Sequence, residues 1–156
     1  RRPPRSTPKP SSAASDVYKR QSVSIDSIKI SSINAGILAF IAFTPDDKEP
    51  QLIKMSDKIL GYRIFSDDDG RMNRNIIDEK LNLLIVPQFT LAANTKSGTR
   101  PSFSCAANPQ IGRALFIRFL EIIKSKYRNI ESGKFKENMD VSLINDGPVT
   151  FWLEVN

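Results

Sequence analysis

Two segments of this 156-residue chain place polar or backbone-special groups inside apolar sequence, which is where chemistry would sit. The first is VPQFTLAAN, Val86 to Asn94, with an amide at Gln88 and a hydroxyl at Thr90 just after Pro87. Proline has no N–H, so a strand ladder must break at Pro87 or lie at an edge there. Alternation then puts Gln88 and Thr90 on one side of the strand and Phe89 on the other. The second segment is INDGPVTFW, Ile144 to Trp152. Asp146-Gly147 is a strong hairpin signal, and the apolar run from Val149 reads as the strand that follows. Yet Pro148 follows the glycine directly, and a returning strand normally needs a backbone N–H at that point. Taken singly, each segment is explained by a strand that ends in a loop or turn.

The chain's inventory narrows the chemistry. It has no histidine and one cysteine, Cys105. That removes the Ser-His-Asp triad, the Cys-His dyad and the common zinc sites in one step. Cys105 lacks the base that activates a thiol nucleophile. Hydrolysis here must use water, hydroxyls, amides, carboxylates or the substrate itself. Asp67, Asp68 and Asp69 before Gly70 lack the twelve-residue pattern of a calcium loop and its closing glutamate, so they read as an acidic turn. Lys96, Thr99, Arg100 and Ser102 could touch phosphates, although a solvated loop is the commoner origin of such a stretch. There is no glycine-rich phosphate loop. No metal and no cofactor are expected.

The elements that must position these segments follow from apolar periodicity. SVSIDSIKI, from Ser22, reads as a half-buried strand with a kink near Asp26-Ser27, and Asn34-Ala35-Gly36 as a turn. ILAFIAF is a continuous apolar run, too short for most helices, and reads as a strand buried on both faces. A helix is predicted from Pro45 to about Leu60, with Leu52, Met55, Ile59 and Leu60 as its inner stripe. Tyr62 to Phe65 is a strand and LNLLIVPQF a further buried one. Asn108-Pro109 is a helix start, with asparagine as N-cap and proline at the first helical position. Ile111, Leu115, Phe119, Ile122 and Ile123 keep helical spacing to about Lys126. Ser132-Gly133-Lys134 is a turn, Met139, Val141 and Leu143 alternate as a strand, and VTFWLEV is the last strand. The pattern predicts a single compact α/β domain: about six strands in a mixed, mostly antiparallel, barrel-like sheet, with two main helices.

A length of 156 residues, 40% hydrophobic and 26% charged, fits one globular domain. No apolar run approaches the roughly 20 residues of a membrane span. A lone cysteine cannot form an internal disulfide, which points to the cytoplasm. The net charge of +6 is concentrated at one end. Six of the 23 basic residues and one of the 17 acidic residues lie in the first twenty positions, leaving 17 against 16, or +1, for the body. A high isoelectric point therefore does not by itself mark an RNA-binding surface. RRPPRSTPKPSSAAS has no apolar periodicity and no signal-peptide core. Residues 1–21 are read as a disordered tail, and residues 22–156 as the domain. The run SSAASDVYKRQ resembles translated adaptor or vector sequence standing in place of the native first strand.

Three landmarks, GYRIFSDDDGRMNRNI, LLIVPQFTLAANTKSGTRPSFS and MDVSLINDGPVTFWLEV, together resemble the bacterial-type D-aminoacyl-tRNA deacylases, also called D-tyrosyl-tRNA deacylases. The likeness runs from about Ser22 to the C-terminus. It implies a homodimer that hydrolyses the ester between a D-amino acid, or glycine, and the 3′ end of tRNA. The family's Gly-cis-Pro element falls on Gly147-Pro148. In relatives this element reaches across the dimer interface into the partner's pocket, where main-chain oxygens hold the substrate's α-amino group. An L-side chain is driven into the stiff loop, whereas a D-side chain points outward. Rejection worth roughly 4 kcal/mol would discriminate about a thousandfold.

The family's Ser-Gln-x-x-Leu motif lies on Pro87, Gln88, Phe89, Thr90 and Leu91. The resemblance makes Gln88, Phe89 and Thr90 the catalytic set: Gln88 orients the ester, and backbone N–H groups around Phe89 and Thr90 stabilise the oxyanion. Pro87, Met139, Thr150, Gly147 and Pro148 become substrate contacts, with Met139 lining the adenosine pocket. With no base for Thr90, the neighbouring ribose hydroxyl of the terminal adenosine is expected to help activate water. The sequence departs from the family twice. Pro87 replaces the usual serine, as in the animal deacylases that clear L-alanine from threonine tRNA and carry a trans Gly-Pro bond. DVYKRQ stands where relatives carry a strand resembling "IQRV", whose arginine braces the Gly-Pro loop. Two other readings follow: an L-alanyl-tRNA editing enzyme, or a catalytically silent RNA-binding dimer.

Overall fold

A computed structural model describes the backbone of residues 11–156, and the side chains at 20–145 and 149–156. The chain forms β1 (Ser11–Ile25), β2 (Ile28–Ile33), β3 (Gly36–Phe43), α1 (Glu49–Gly61), β4 (Phe65–Ser66), β5 (Met72–Arg74), α2 (Ile76–Glu79), β6 (Asn82–Pro87), α3 (Pro109–Lys126), β7 (Ile130–Ser132) and β8 (Asp140–Val155). A 3₁₀ turn, Phe89–Ala92, follows β6. Six strands form one mixed sheet in the order β2-β1-β3-β6-β7, with β8 also paired to β1; β4 and β5 form a separate hairpin. β3 and β6 run parallel, as do β6 and β7, while the pairings of β1 are antiparallel.

The runs that read as doubly buried strands occupy the middle. Ile37, Ala39, Ile41 and Phe43 of β3, with Leu83 and Ile85 of β6, face the helices and join Leu52, Met55, Phe116 and Phe119 in one core. The alternate residues Leu38, Leu84 and Val86 face the other way and form a second cluster with Val23 and Ile33. Period-two alternation with both faces apolar means that neither face of these strands can be left to water.

The helices depart from expectation in detail. α1 starts at Glu49, not Pro45, because the Asp47 carboxylate captures the Thr44 N–H at 2.9 Å and makes the intervening residues a turn. Its predicted inner stripe is buried. α3 starts as read, with the Asn108 carboxamide oxygen accepting from the Ile111 N–H at 2.9 Å. Ile111 itself is exposed, and the buried stripe runs through Gly112, Phe116, Phe119 and Ile123. A Cβ on Gly112 would stand 2.9 Å from the Phe135 ring, so the missing side chain lets that ring pack on the helix. Arg118 ties α3 to α1 by donating to Glu49, and holds that carboxyl below the usual carboxylate range. Both groups are exposed, so the tie adds little stability.

Three further readings change. Asp26 and Ser27 both have positive φ and reverse the chain between β1 and β2, so the expected kink is a hairpin turn of the I′ kind. The strand expected at Tyr62–Phe65 is confined to β4. The stretch after the acidic turn forms α2, capped by Asn75, whose side chain accepts from the Asp78 N–H.

β1 begins at Ser11, inside the segment expected to be a tail; residues 1–10 lie outside the described residues. Ser11 to Tyr18 pair with β3, and Ser11 to Asp16 also with β8. β-propensity depends strongly on context, so composition alone is a weak guide here. The fit is imperfect at Gln21, which is 2% exposed. Its Nε2 donates to the Gly36 carbonyl at a long 3.3 Å, and its Oε1 has no partner. An orphaned buried acceptor costs about 1–3 kcal/mol. Gln21→Met removes it at similar volume and is expected to raise the melting temperature by about 2–4 °C. A lower midpoint in thermal unfolding would show that the bond to Gly36 outweighs the orphaned oxygen.

The C-terminal segment does not turn back at Asp146-Gly147. β8 is one strand of 16 residues antiparallel to β1. Asn145 pairs with Tyr18 and Thr150 with Asp16, so β8 advances five residues while β1 advances two. The NDGP sequence is therefore the site of a large bulge, which takes up the residues that a hairpin would have used to reverse.

Candidate active site

Pro87 is the last residue of β6, and its position explains why a proline is tolerated in an interior strand. Along β6, the N–H of Leu83 points to β7 and bonds the Asn129 carbonyl, while the N–H of Gln88 points to β3 and bonds the Ile41 carbonyl at 2.8 Å. Alternation sends the missing donor of Pro87 toward β7, which has already ended at Ser132. The ladder runs out where the donor is absent.

The chain then tightens into the 3₁₀ turn instead of continuing as a strand. This corrects the expected alternation of Gln88, Phe89 and Thr90. The turn's first bond is from the Leu91 N–H to the Gln88 carbonyl, at 3.1 Å. The N–H groups of Phe89 and Thr90 precede it and have no acceptor within the turn. Gln88 and Thr90 do meet, because the Gln88 Nε2 donates to the Thr90 Oγ1 at 2.6 Å. An amide N–H that donates into a hydroxyl oxygen cannot take the hydroxyl proton, so this contact orients the amide without activating Thr90.

Beside this turn lies a cavity of about 740 Å³. Pro87, Gln88, Phe89 and Met139 line it, with Phe103 and Phe135. Gly133 shapes it from outside: a Cβ there would stand 2.8 Å from the Met139 sulfur and 3.5 Å from Cδ of Pro87. Glycine thus lets the thioether lie against the proline. Phe89 and Phe103 pack with ring centroids 5.3 Å apart, and both remain substantially exposed. Phe103 is held there because Asn94 and Ser102 exchange two backbone hydrogen bonds that close the intervening loop.

Of the sequence-predicted set, Pro87, Gln88, Phe89 and Met139 meet at this cavity, and Thr90 joins them through Gln88. Thr150 is exposed on β8 and is not among the lining residues. Gly147 and Pro148 lie within β8, but their side chains and the bond between them are outside the described residues. Phe103, Phe135 and Gly133 were not singled out from sequence. The first two are lone aromatics in polar stretches, which is a signal of a sort; Gly133 read only as a turn. Lys136 and Glu137 also line the cavity and are its only ionisable lining groups among the described residues. Among the described residues no cluster of three His, Cys, Asp or Glu side chains could hold a metal ion, and no helix is long and apolar enough to cross a membrane.

Residues 17–154 match the family model described as D-Tyr-tRNA(Tyr) deacylase. The chain is similar to the D-aminoacyl-tRNA deacylase of Alkalilimnicola ehrlichii, 49% identical over 85% of this chain and 88% of the relative. It is also similar to that of Teredinibacter turnerae, 48% identical over 85% and 91%. Among solved structures it resembles the c-Myc DNA unwinding element binding protein, with a TM-score of 0.89 and 33% identity over 93% of this chain and 99% of that one. A probable eukaryotic D-amino acid tRNA deacylase, 15% identical with a TM-score of 0.81 over 93% and 99%, shares the fold.

Proposed function

Because the chain belongs to the D-Tyr-tRNA(Tyr) deacylase family, we propose that it is an ester hydrolase that cleaves a D-amino acid, or glycine, from the 3′ end of tRNA. The observation that carries the reading is the pairing of Gln88 with Thr90 at the rim of an apolar cavity, beside two N–H groups with no acceptor in their turn. That arrangement supplies orientation and an anion-stabilising pair, and no activated protein nucleophile.

The steps follow from those groups. The terminal adenosine enters the cavity beside Met139 and Pro87. Gln88, steadied by Thr90, orients the ester. Water attacks the ester carbon and gives a proton to the ribose hydroxyl next to the ester, which passes its own proton toward the ester's ribose oxygen. The N–H groups of Phe89 and Thr90 meet the oxyanion, a contribution of about 3–4 kcal/mol for a well-placed donor. Collapse breaks the bond between the ester carbon and that ribose oxygen, which leaves as a hydroxyl with the relayed proton. The released amino acid ionises to its carboxylate by losing a proton to water. No resident metal or cofactor is invoked.

Stereochemical choice is assigned to Gly147-Pro148, presented by a second copy of the chain. A filter that tolerates many side chains must grip the atoms common to all amino acids, which backbone carbonyls do. The register shift of β8 against β1 at NDGP supports this, since a bulge locally disrupts the ladder. The proposed setting is the cytoplasm.

The test is a paired assay of D-tyrosyl-tRNA and L-tyrosyl-tRNA without added metal. The D-ester is expected to be cleared about a thousandfold faster; equal rates would overturn the reading. Pro87 supports a second reading, in which L-alanyl-tRNA is the substrate. Including that ester in the same assay separates the two, because only the second predicts its rapid loss.

A further inference from the structure

We propose that Lys136 binds the backbone phosphate next to the terminal nucleotide of the RNA, and so sets affinity for the polynucleotide as opposed to its aminoacyl end. The inference rests on the proposed function for its substrate and adds a residue to that site.

Among the described residues, Lys136 is the only basic one lining the cavity that Gln88 and Phe89 share. Its φ is +63°, in the left-handed region that glycine occupies without strain. A lysine held there points to a use for its side chain. The neighbouring packing fixes the position: Phe135, the preceding residue, is anchored against Gly112 of α3, and Met139, three residues on, lies against Gly133. The backbone of Lys136 is therefore pinned between two packed side chains while its own side chain stays exposed at the cavity.

The ammonium group is also unclaimed. Arg74, Arg118 and Lys126 are each tied to carboxylates, whereas Lys136 has no ion pair or hydrogen bond among the described residues. Beyond residue 20 the net charge is only +1, so a single local cation at the cavity counts for more. Glu137, also at the cavity, opposes a phosphate. Removing its charge should have the reverse effect to removing that of Lys136.

Two esters test the proposal: a D-aminoacyl-tRNA, and the corresponding 3′-aminoacyl-adenosine, which carries no phosphate. Lys136→Gly relieves the strained φ, so its melting temperature should not fall. On the tRNA, its KM is expected to rise about fivefold at low salt with kcat unchanged. The dependence of log affinity on log salt should become shallower by about 0.7, the value for one single-strand phosphate contact. On aminoacyl-adenosine nothing should change. Lys136→Arg should keep the wild-type KM, and Glu137→Gln should lower KM on the tRNA. An unchanged KM on the tRNA for Lys136→Gly, or an equal rise on both esters, would overturn the proposal. If the wild-type chain cleaves neither ester, the proposed function fails on its own. The phosphate contact is then read from binding of uncharged tRNA, which Lys136→Gly weakens if the contact exists and leaves unchanged if it does not.

Discussion

Gly36→Ala is expected to cost at least about 4 kcal/mol of stability and to lower the melting temperature by roughly 10 °C or more, with most of the protein lost from the soluble fraction. Gly36 opens β3, where it pairs in register with Asn82 at the start of β6. A Cβ on Gly36 overlaps the Asn82 carbonyl oxygen and lies 2.8 Å from its carbonyl carbon. Both atoms are backbone, so no side-chain rotation relieves the clash. β6 must move away from β3, and the bond from the Asn82 N–H to the Ala35 carbonyl is already 3.4 Å long. The displacement spreads into deeply buried strands, since Ile37, Leu38, Leu83 and Leu84 are all 0% exposed. It also reaches function, because the far end of β6 holds Pro87 and Gln88. Gly61→Ala is the matched control. No atom lies within 4 Å of a Cβ there, at the end of α1, so the change is expected to be neutral or to stabilise by up to about 1 kcal/mol. Equal melting temperatures for Gly36→Ala and wild type would show that the β3–β6 pairing does not depend on this close approach.

The second large effect is catalytic. Gln88→Ala is expected to lower the single-turnover rate on D-aminoacyl-tRNA about a hundredfold with little change in melting temperature. Gln88 is half-buried, and its backbone bonds to Ile41 and Leu91 survive truncation of the side chain. What is lost is the amide that Thr90 steadies at 2.6 Å. Thr90→Ala should cost far less, about threefold to tenfold, because it removes only the steadying contact. Thr90→Ser should recover most of that loss. The contrast decides between water and a protein hydroxyl as the attacking group. If Thr90 were the nucleophile, Thr90→Ala would abolish turnover as completely as any single change, and a covalent aminoacyl-enzyme would accumulate in a burst. A loss on Thr90→Ala larger than that on Gln88→Ala would refute substrate-assisted attack by water.

Legibility in the sequence varied with the range of the interaction involved. ILAFIAF and NLLIVP were readable as doubly buried strands because the signal is the absence of any polar face. The starts of α3 and the stripe of α1 were readable because caps and helical spacing act within four residues. Asp26-Ser27 was not readable as a reversal, since neither residue is glycine. At the site, Pro87 and Gln88 stood out as interruptions of an apolar run. Their partners Gly133, Phe103 and Phe135 did not, because their roles depend on contacts with distant residues. Lys136 carried no sequence signal at all: only the backbone angle shows that it stands where glycine would be unstrained.

By itself the sequence determined the inventory and the local grammar: no histidine, hence no imidazole base; a central pair of apolar strands; two capped or striped helices; and two motifs in the order of a known family. Tertiary structure decided whom each segment meets. It ran β8 along β1 through the Asp146-Gly147 signal, where local turn preference predicted a reversal, and it began β1 at Ser11 in a stretch that composition marks as tail. The physical reason is that periodicity, caps and turn preferences are energies of neighbouring residues. Strand pairing, by contrast, is selected by burial and hydrogen bonding between segments that can stand at opposite ends of the chain, as Ser11 and Val155 do.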